Sequence, residues 1–443
     1  MNNTSFISRR KFINLLGGAV LAMELGDWSA AEAAVKKAAD PATAQPSRDT
    51  RHVVRGLRGN IDIDYIRQII TADPAVSRTI MWQSDELLSG AVVEYRPAAA
   101  ARSLSQPASY DFFTGDDSSF YIYSVQLTSL TPQQDYEYRI VCGRYGTDWI
   151  TMRTAGRGSF KALLFTDSQC SENYSCWHEI VQLAALRHPD AQFWINLGDL
   201  VDNGQQQCQW RGWFDAARGF LEHTPLVPVM GNHEAYSLDW QYCLPRDYLH
   251  EFTLPDNGSQ RFPGYYFSFD YGPVHFTVLN TQFEELDDLR PGLLDEEIRW
   301  LQKDVHGSAR QWKIVLMHRD IFTYEPAAST TQGTFSDIGQ TFMPLFDRLG
   351  IDLVLSGHLH TYRNRGHIYN FKPSSRGPLY IVCGLAGNCR YPDIWVDPVF
   401  DKKIAPQPET DNYLTLEAST KQLSLRCFLP NGDVIDKAVL QKG

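Results

Sequence analysis

Positive charge is in short supply: 41 lysines and arginines face 52 aspartates and glutamates, a formal net charge of -11. That deficit argues against binding along a nucleic acid backbone, which needs clustered basic residues. It leaves room for a small phosphorylated molecule, because a bound metal outweighs the surface field locally. After the first 30 residues no apolar run approaches the roughly 20 residues of a membrane span, so the mature chain is expected to have no transmembrane segment. Internal repeats and low-complexity tracts are absent. The eight cysteines lack the paired short spacing of a zinc ribbon. What is present is 43 % hydrophobic and 12 % aromatic residues over 443 positions, enough for two domains and a leader.

The leader reads as residues 1–33. Ser8-Arg9-Arg10-Lys11 precedes the apolar run from Phe12 to Met23, and Ala31-Glu32-Ala33 offers a small-residue cleavage site. Paired arginines before a modest apolar segment resemble a twin-arginine export signal; the alternative is a chance basic-hydrophobic terminus. No cysteine follows the run, which argues against a lipid anchor. The protein is therefore expected to be exported, periplasmic or extracellular. Export gives the even cysteine count a meaning, and some of Cys142, Cys170, Cys176, Cys208, Cys243, Cys383, Cys389 and Cys427 are expected to form disulfides. Buried free thiols are the alternative.

Residues 34–60, rich in Ala, Lys, Pro and Ser, read as a linker or N-terminal arm. Short β-patterned runs separated by turn signals then fill 61–156, and suit a small all-β sandwich with Trp82 as a core anchor. The stretch Leu130-Thr-Pro-Gln-Gln-Asp-Tyr136-Glu-Tyr138 resembles the corner of fibronectin type III-like domains. From 157 to 443 apolar strand candidates alternate with helical patterns: strands near 160–166, 191–197, 225–230, 312–317 and 351–356, helices near 177–187, 208–221, 292–305 and 337–348. That alternation predicts βαβ units and a partly parallel sheet.

Polar residues recur where these strands end. They are Asp167-Ser-Gln169, Gly198-Asp199-Leu-Val-Asp202, Gly231-Asn232-His233-Glu234, His318-Arg319 and Gly357-His358-Leu-His360. Taken singly, a strand-ending Asp is more often a turn or cap residue, and a lone His more often a satisfied core residue. Together they place Asp, Asp, Asn and three His in a fixed order at strand ends, where side chains of an open α/β sheet converge on one crevice. An extended His358-Leu-His360 would put both imidazoles on one side, facing a pair of adjacent metals.

The set resembles the calcineurin-like metallophosphoesterase superfamily, whose motifs run D-x-H, G-D-x-x-D, G-N-H-[DE], a later His, and G-H-x-H. The resemblance covers about 158–430, and the sandwich in front narrows it to the purple acid phosphatase-like branch. It implies a four-layer αββα catalytic domain, α/β (α+β) in class, behind the small β-sandwich. It also implies an enzyme, a hydrolase of phosphoric esters that uses two metal ions per chain (Fe, Mn, Zn or Mg). Carried over residue by residue, Asp199 bridges the metals, Asp167 and His360 hold the first with Gln169 a possible further ligand, and Asn232, His318 and His358 hold the second. A bridging hydroxide attacks phosphorus, and His233 protonates the leaving oxygen or else serves only the metal. Glu234 is expected to orient His233.

Two positions depart from that pattern. Gln169 stands where the superfamily has His, and an amide oxygen is a harder, weaker ligand than imidazole. Asp202 stands where purple acid phosphatases have a metal-binding Tyr, so no visible phenolate-to-iron band is expected. Asp202 either orients a ligand or caps a turn; Arg319 either contacts substrate phosphate or forms a surface ion pair. The leading function is hydrolysis of phosphate monoesters by an exported enzyme, with phosphodiester or nucleotide pyrophosphate hydrolysis as the close alternative. An exported binding protein with a vestigial metal site is the reading from another class. Loops 205–212, 235–262 and 383–396 are expected to set the small phosphorylated substrate.

Overall fold

The side chains of Phe160–Phe165 alternate between two cores. Ala162 and Leu164 join a cluster shared with a second sheet, whereas Leu163 and Phe165 join one shared with helices. A strand apolar on both faces suits a buried parallel sheet. Phe160–Phe165 pairs in parallel with Phe193–Asn196, which pairs in parallel with Leu226–Pro228. The computed structural model describes residues 62–171, 173–323, 333–391, 395–406 and 411–442. The leader at 1–33 and the arm at 34–60 lie outside the described residues.

Among those residues one sheet has ten strands. Its order is Val434–Gln441, Gln422–Phe428, Tyr413–Ala418, Phe160–Phe165, Phe193–Asn196, Leu226–Pro228, Asp64–Ile69, Arg78–Ser84, Ser119–Leu127 and Ser109–Thr114. A second sheet carries the parallel strands Val274–Val278, Trp312–Leu316, Leu353–Ser356 and Leu379–Cys383. The two sheets face each other across the Ala162, Leu164, Ile195, Phe276, Ile314 and Leu355 cluster. Helices Ser175–Arg187 and Gln207–Ala216 cover the outer face of the first sheet through Trp177, Ile180, Trp213 and Phe214. Helices Leu293–Gly307 and Asp337–Leu349 cover the second through Leu301, Val305, Phe342 and Phe346. Helix, sheet, sheet, helix is the four-layer αββα arrangement expected. Of these helices, Asp337–Leu349 has the clearest ends: the Ser336 hydroxyl accepts from the Gly339 N–H at its start, and Gly350 closes it at φ 65°.

The N-terminal sandwich is built by the strands from 64 to 153. Trp82 is fully buried and stacked on Tyr123, with ring centroids 5.1 Å apart. At the expected corner, the Thr131 N–H donates to the Tyr136 hydroxyl at 2.9 Å. The sequence reading divides the chain at 156/157, but the ten-stranded sheet is continuous across that line, because Asp64–Ile69 pairs in parallel with Leu226–Pro228. Fully buried Arg67 locks the junction, donating to the Glu251 carbonyl at 3.0 Å and to its carboxylate at 2.8 Å. The Gln68 amide and the Tyr138 hydroxyl both donate to the Glu222 carbonyl, each at 2.7 Å. Arg67 and Gln68 interrupt the apolar pattern of Asp64–Ile69, and both are buried only because those partners exist.

All eight cysteines are unpaired, which corrects the expectation of disulfides. Cys170, Cys383 and Cys427 sit in apolar cores, where burial raises the thiol pKa and they pack as small hydrophobes. No helix among the described residues is long and apolar enough to cross a membrane.

Candidate metal centre

Strands Phe160–Phe165, Phe193–Asn196, Leu226–Pro228, Trp312–Leu316 and Leu353–Ser356 all hand the chain directly to a predicted site segment at their carboxyl ends. Two donor clusters result, and Asp199 belongs to both. One is Asp199, His318 and His358; the other is Asp167, Asp199 and His360, with the ligand atoms of each within 4.8 Å of one another. Asn232 joins the first, its Oδ1 lying 3.1 Å from His318 Nε2, which is also 3.1 Å from Asp199 Oδ2. Gln169 joins the second, with its amide nitrogen 3.3 Å from His360 Nε2.

The turns that present these groups are strained and interlocked. Asp167, Asp199, His358 and His360 have φ of 49°, 51°, 72° and 48°, the left-handed region that side chains avoid at a cost of about 1–3 kcal/mol each. The Asp167 N–H donates to the Gly198 carbonyl at 3.0 Å, and the His358 N–H reaches the Asp167 carboxylate at 2.9 Å. His358 and His360 therefore reach different clusters from a tight turn, and not from the extended segment expected. Close approach explains two motif glycines: a Cβ on Gly231 would lie 2.1 Å from Asp199 Oδ1, and one on Gly357 would lie 2.0 Å from Thr166 Oγ1.

Backbone carbonyls set the imidazoles. His318 Nδ1 donates to Leu197 O at 2.8 Å, His360 Nδ1 to Cys389 O at 2.6 Å, and His233 Nδ1 to Asp202 O at 2.6 Å. With each Nδ1 occupied, Nε2 of all three faces the centre. Sequence reasoning could not name these acceptors, since every residue has a carbonyl. Asp202 thus orients His233, and its own carboxylate lies 3.7 Å from the same nitrogen.

Glu234 does not orient His233, contrary to expectation. Its buried carboxylate accepts from the N–H groups of Gly231 at 2.6 Å, Leu200 at 2.8 Å and Asp199 at 3.1 Å, tying two ligand loops together. Of the two alternatives for Arg319 the structure shows an ion pair, made with a buried carboxylate. Arg319 donates to the fully buried Glu285 carboxylate and, at 3.2 Å, to Gln282 Oε1.

The electrostatics separate the groups. Burial opposes ionisation of Asp199, but His318 and His233 hold its carboxyl far below the usual range. Burial alone would lower His318, yet Asp199 pushes it up to about 9. Burial, Arg319 and His318 hold His358 well below an ordinary imidazole. Burial raises the Asp167 carboxyl. Opposed charges packed this closely, together with a buried Gln169 Oε1 that has no partner among the described residues, fit a set of donors suited to cations. The mix of carboxylate, amide oxygen and imidazole suits first-row metals or Mg. Aromatic rings flank the centre: Tyr391 lies 4.6 Å from His360, and Tyr236 and Trp240 lie 5.7 Å and 5.9 Å from His233.

Comparison with known proteins agrees with this geometry. Residues 160–362 match the calcineurin-like phosphoesterase family and residues 63–154 the purple acid phosphatase N-terminal domain. Purple acid phosphatase 21 of Arabidopsis thaliana is 25 % identical over 324 residues, spanning 70 % of this chain and 68 % of that protein. Purple acid phosphatase 23 of the same plant is 27 % identical over 191 residues, 42 % of this chain and 40 % of that protein. In fold, the chain is similar to the purple acid phosphatase PPD1 of yellow lupin (Lupinus luteus) seeds, with a TM-score of 0.71 at 19 % identity, covering 86 % of this chain and 74 % of that one. The structure of PhoD is similar at a TM-score of 0.58 and 13 % identity, covering 85 % and 90 %. With its paired donor clusters, the chain carries a calcineurin-like phosphoesterase domain at 160–362 behind a purple acid phosphatase N-terminal domain at 63–154, the equipment of a hydrolase of phosphoric ester bonds.

Proposed function

We propose that this protein is an exported phosphohydrolase that cleaves phosphate monoesters at a centre for two metal ions. One observation carries the reading: Asp199 is shared by two donor clusters, so a single carboxylate can bridge two cations. Asp167, Gln169, Asp199 and His360 would hold the first ion, and Asp199, Asn232, His318 and His358 the second. Two such ions supply neutralisation of the phosphoryl charge and a nucleophile from water at moderate pH.

The remaining chemistry belongs to side chains. His233, keyed by the Asp202 carbonyl, has its Nε2 3.8 Å from Asp199 Oδ2, beside both clusters. There it is placed to hand a proton to the departing alcohol. Arg319, anchored on Glu285 and Gln282 and about one-fifth exposed, is near enough to His358 to lower its pKa, which supports a role in meeting a phosphate oxygen. Export is supported by Arg9-Arg10 and the apolar run behind them, which lie outside the described residues.

The test is hydrolysis of a chromogenic monoester and diester by purified protein, with elemental analysis of the same sample. Metal-dependent cleavage that favours the monoester is expected, with Asp199→Asn and His318→Ala losing both metal and rate. Rates equal in all three proteins and indifferent to metal would overturn the proposal.

A further inference from the structure

Nothing in the proposed chemistry uses the hairpin that overhangs His233. Tyr236 and Tyr242 form an antiparallel bridge, closed by Ser237 N–H donating to Gln241 O and Trp240 N–H donating to Ser237 O, both at 2.8 Å. The turn is fastened to the site: Asn203 Nδ2 donates to Ser237 O at 2.7 Å, and the Tyr242 hydroxyl reaches Glu284 at 3.2 Å. Tyr236 packs against both Tyr242 and Trp240, with centroids 5.7 Å and 6.0 Å apart.

On this rigid base Trp240 has a φ of 57°, a conformation that bulky residues rarely adopt. Such an outlier persists only where the surroundings impose it, and it points toward a role. The role is not burial, because Trp240 stays 45 % exposed. Its ring stands 5.9 Å from that of His233 at 88°. A leaving oxygen protonated by His233 would therefore carry its substituent past the indole.

We propose that Trp240 is a stacking platform for a planar aromatic group on the alcohol portion of the substrate, so that this site favours ring-bearing phosphate esters over aliphatic ones. The proposal rests on the phosphohydrolase reading above. The shared chemistry is a flat ring, which can sit one carbon from the ester oxygen, as in an arylalkyl phosphate, or at the far side of a ribose, as in a nucleotide.

Two matched pairs test it. Adenosine 5′-monophosphate and ribose 5-phosphate release the same kind of primary alcohol and differ in the base; benzyl and cyclohexylmethyl phosphate differ in the flatness of the ring. Wild type should prefer the aromatic member of at least one pair in kcat/KM by roughly tenfold, the scale of one ring stacked on an aromatic side chain. Trp240→Ala should bring that ratio close to one, and Trp240→Phe should keep most of it. The pair that responds identifies how far from the phosphate the ring sits. Calorimetric binding of adenosine or benzyl alcohol, whichever matches, should weaken in Trp240→Ala without any turnover being involved. Ratios near one in wild type, or ratios that Trp240→Ala leaves unchanged, would overturn the platform while the phosphohydrolase reading stands. Failure of the metal-loaded protein to hydrolyse any of the four esters would overturn both.

Discussion

The Nδ1 of His233 donates to the carbonyl oxygen of Asp202 at 2.6 Å. This bond fixes the ring's tautomer and leaves Nε2 directed at Asp199. The part of Asp202 that acts on His233 most closely is its backbone, since its carboxylate lies 3.7 Å from the same nitrogen. The residue type at 202 is thus free to differ while the histidine remains oriented.

The His233–Asp202 arrangement makes the first prediction one of leaving-group dependence. His233→Ala should lower kcat by about 10²–10⁴-fold on alkyl phosphates, the usual range for a positioned general acid. The loss should shrink on nitrophenyl phosphate, whose leaving group needs little protonation. Steady-state rates over a series of esters provide the check, and an equal loss across the series would mean that His233 is not the acid.

Gln169 is the second test. Its Oε1 is buried without a partner among the described residues, while its amide nitrogen faces His360; a half-turn of the amide exchanges the two atoms. Replacing the amide by imidazole in Gln169→His should tighten binding of the first metal, measured by competition with a chelating indicator. Gln169→Leu should weaken it about 10–100-fold if the oxygen supports the ion. Unchanged affinity in both variants would remove Gln169 from the ligand set.

Stability should report the weld between the sandwich and the catalytic layers. Arg67 is fully buried against Glu251, and removing one partner of a buried ion pair typically costs about 3–5 kcal/mol. Arg67→Met should lower the denaturation midpoint accordingly. A loss under about 1 kcal/mol in urea unfolding would show that the pair contributes little to the junction.

A fourth prediction concerns alkaline pH. Burial disfavours the charged form of His275, but Asp270 Oδ1 at 2.8 Å and Asp304 Oδ2 at 2.9 Å together push it up to about 9. An unfolded histidine titrates near 6.5. The contribution to stability is therefore fully present below about pH 6.5 and is lost as pH rises through about 9. Thermal melts from pH 6 to 10 should show this decline in wild type, and His275→Gln should be less stable at pH 6 and flatter across the range.

Much of the centre was legible in the chain. Asp167, Asp199, Asn232, His318, His358 and His360 each follow the end of an apolar strand, and parallel strands bring their carboxyl ends to one edge whatever the loops do. Gly231 and Gly357 were legible as motif letters, and the structure supplies their reason: a Cβ at either would enter a neighbouring ligand loop. Periodicity likewise located the helices Ser175–Arg187, Leu293–Gly307 and Asp337–Leu349 to within about two residues.

Local sequence determined which residue types stand at strand ends, because strand propensity and turn chemistry act over a few neighbouring positions. Tertiary structure alone decided the rest. Whether Glu234 faces His233 or three backbone N–H groups depends on loops more than 30 residues apart. Leu197, Asp202 and Cys389 act through carbonyls, which no side chain advertises. That the eight thiols stay unpaired, that the sheet runs on through Asp64–Ile69, and that Trp240 overhangs His233 are likewise outcomes of packing between distant segments. These relationships are set by which surfaces fit together once the layers close, and that fit has no local signature in the chain.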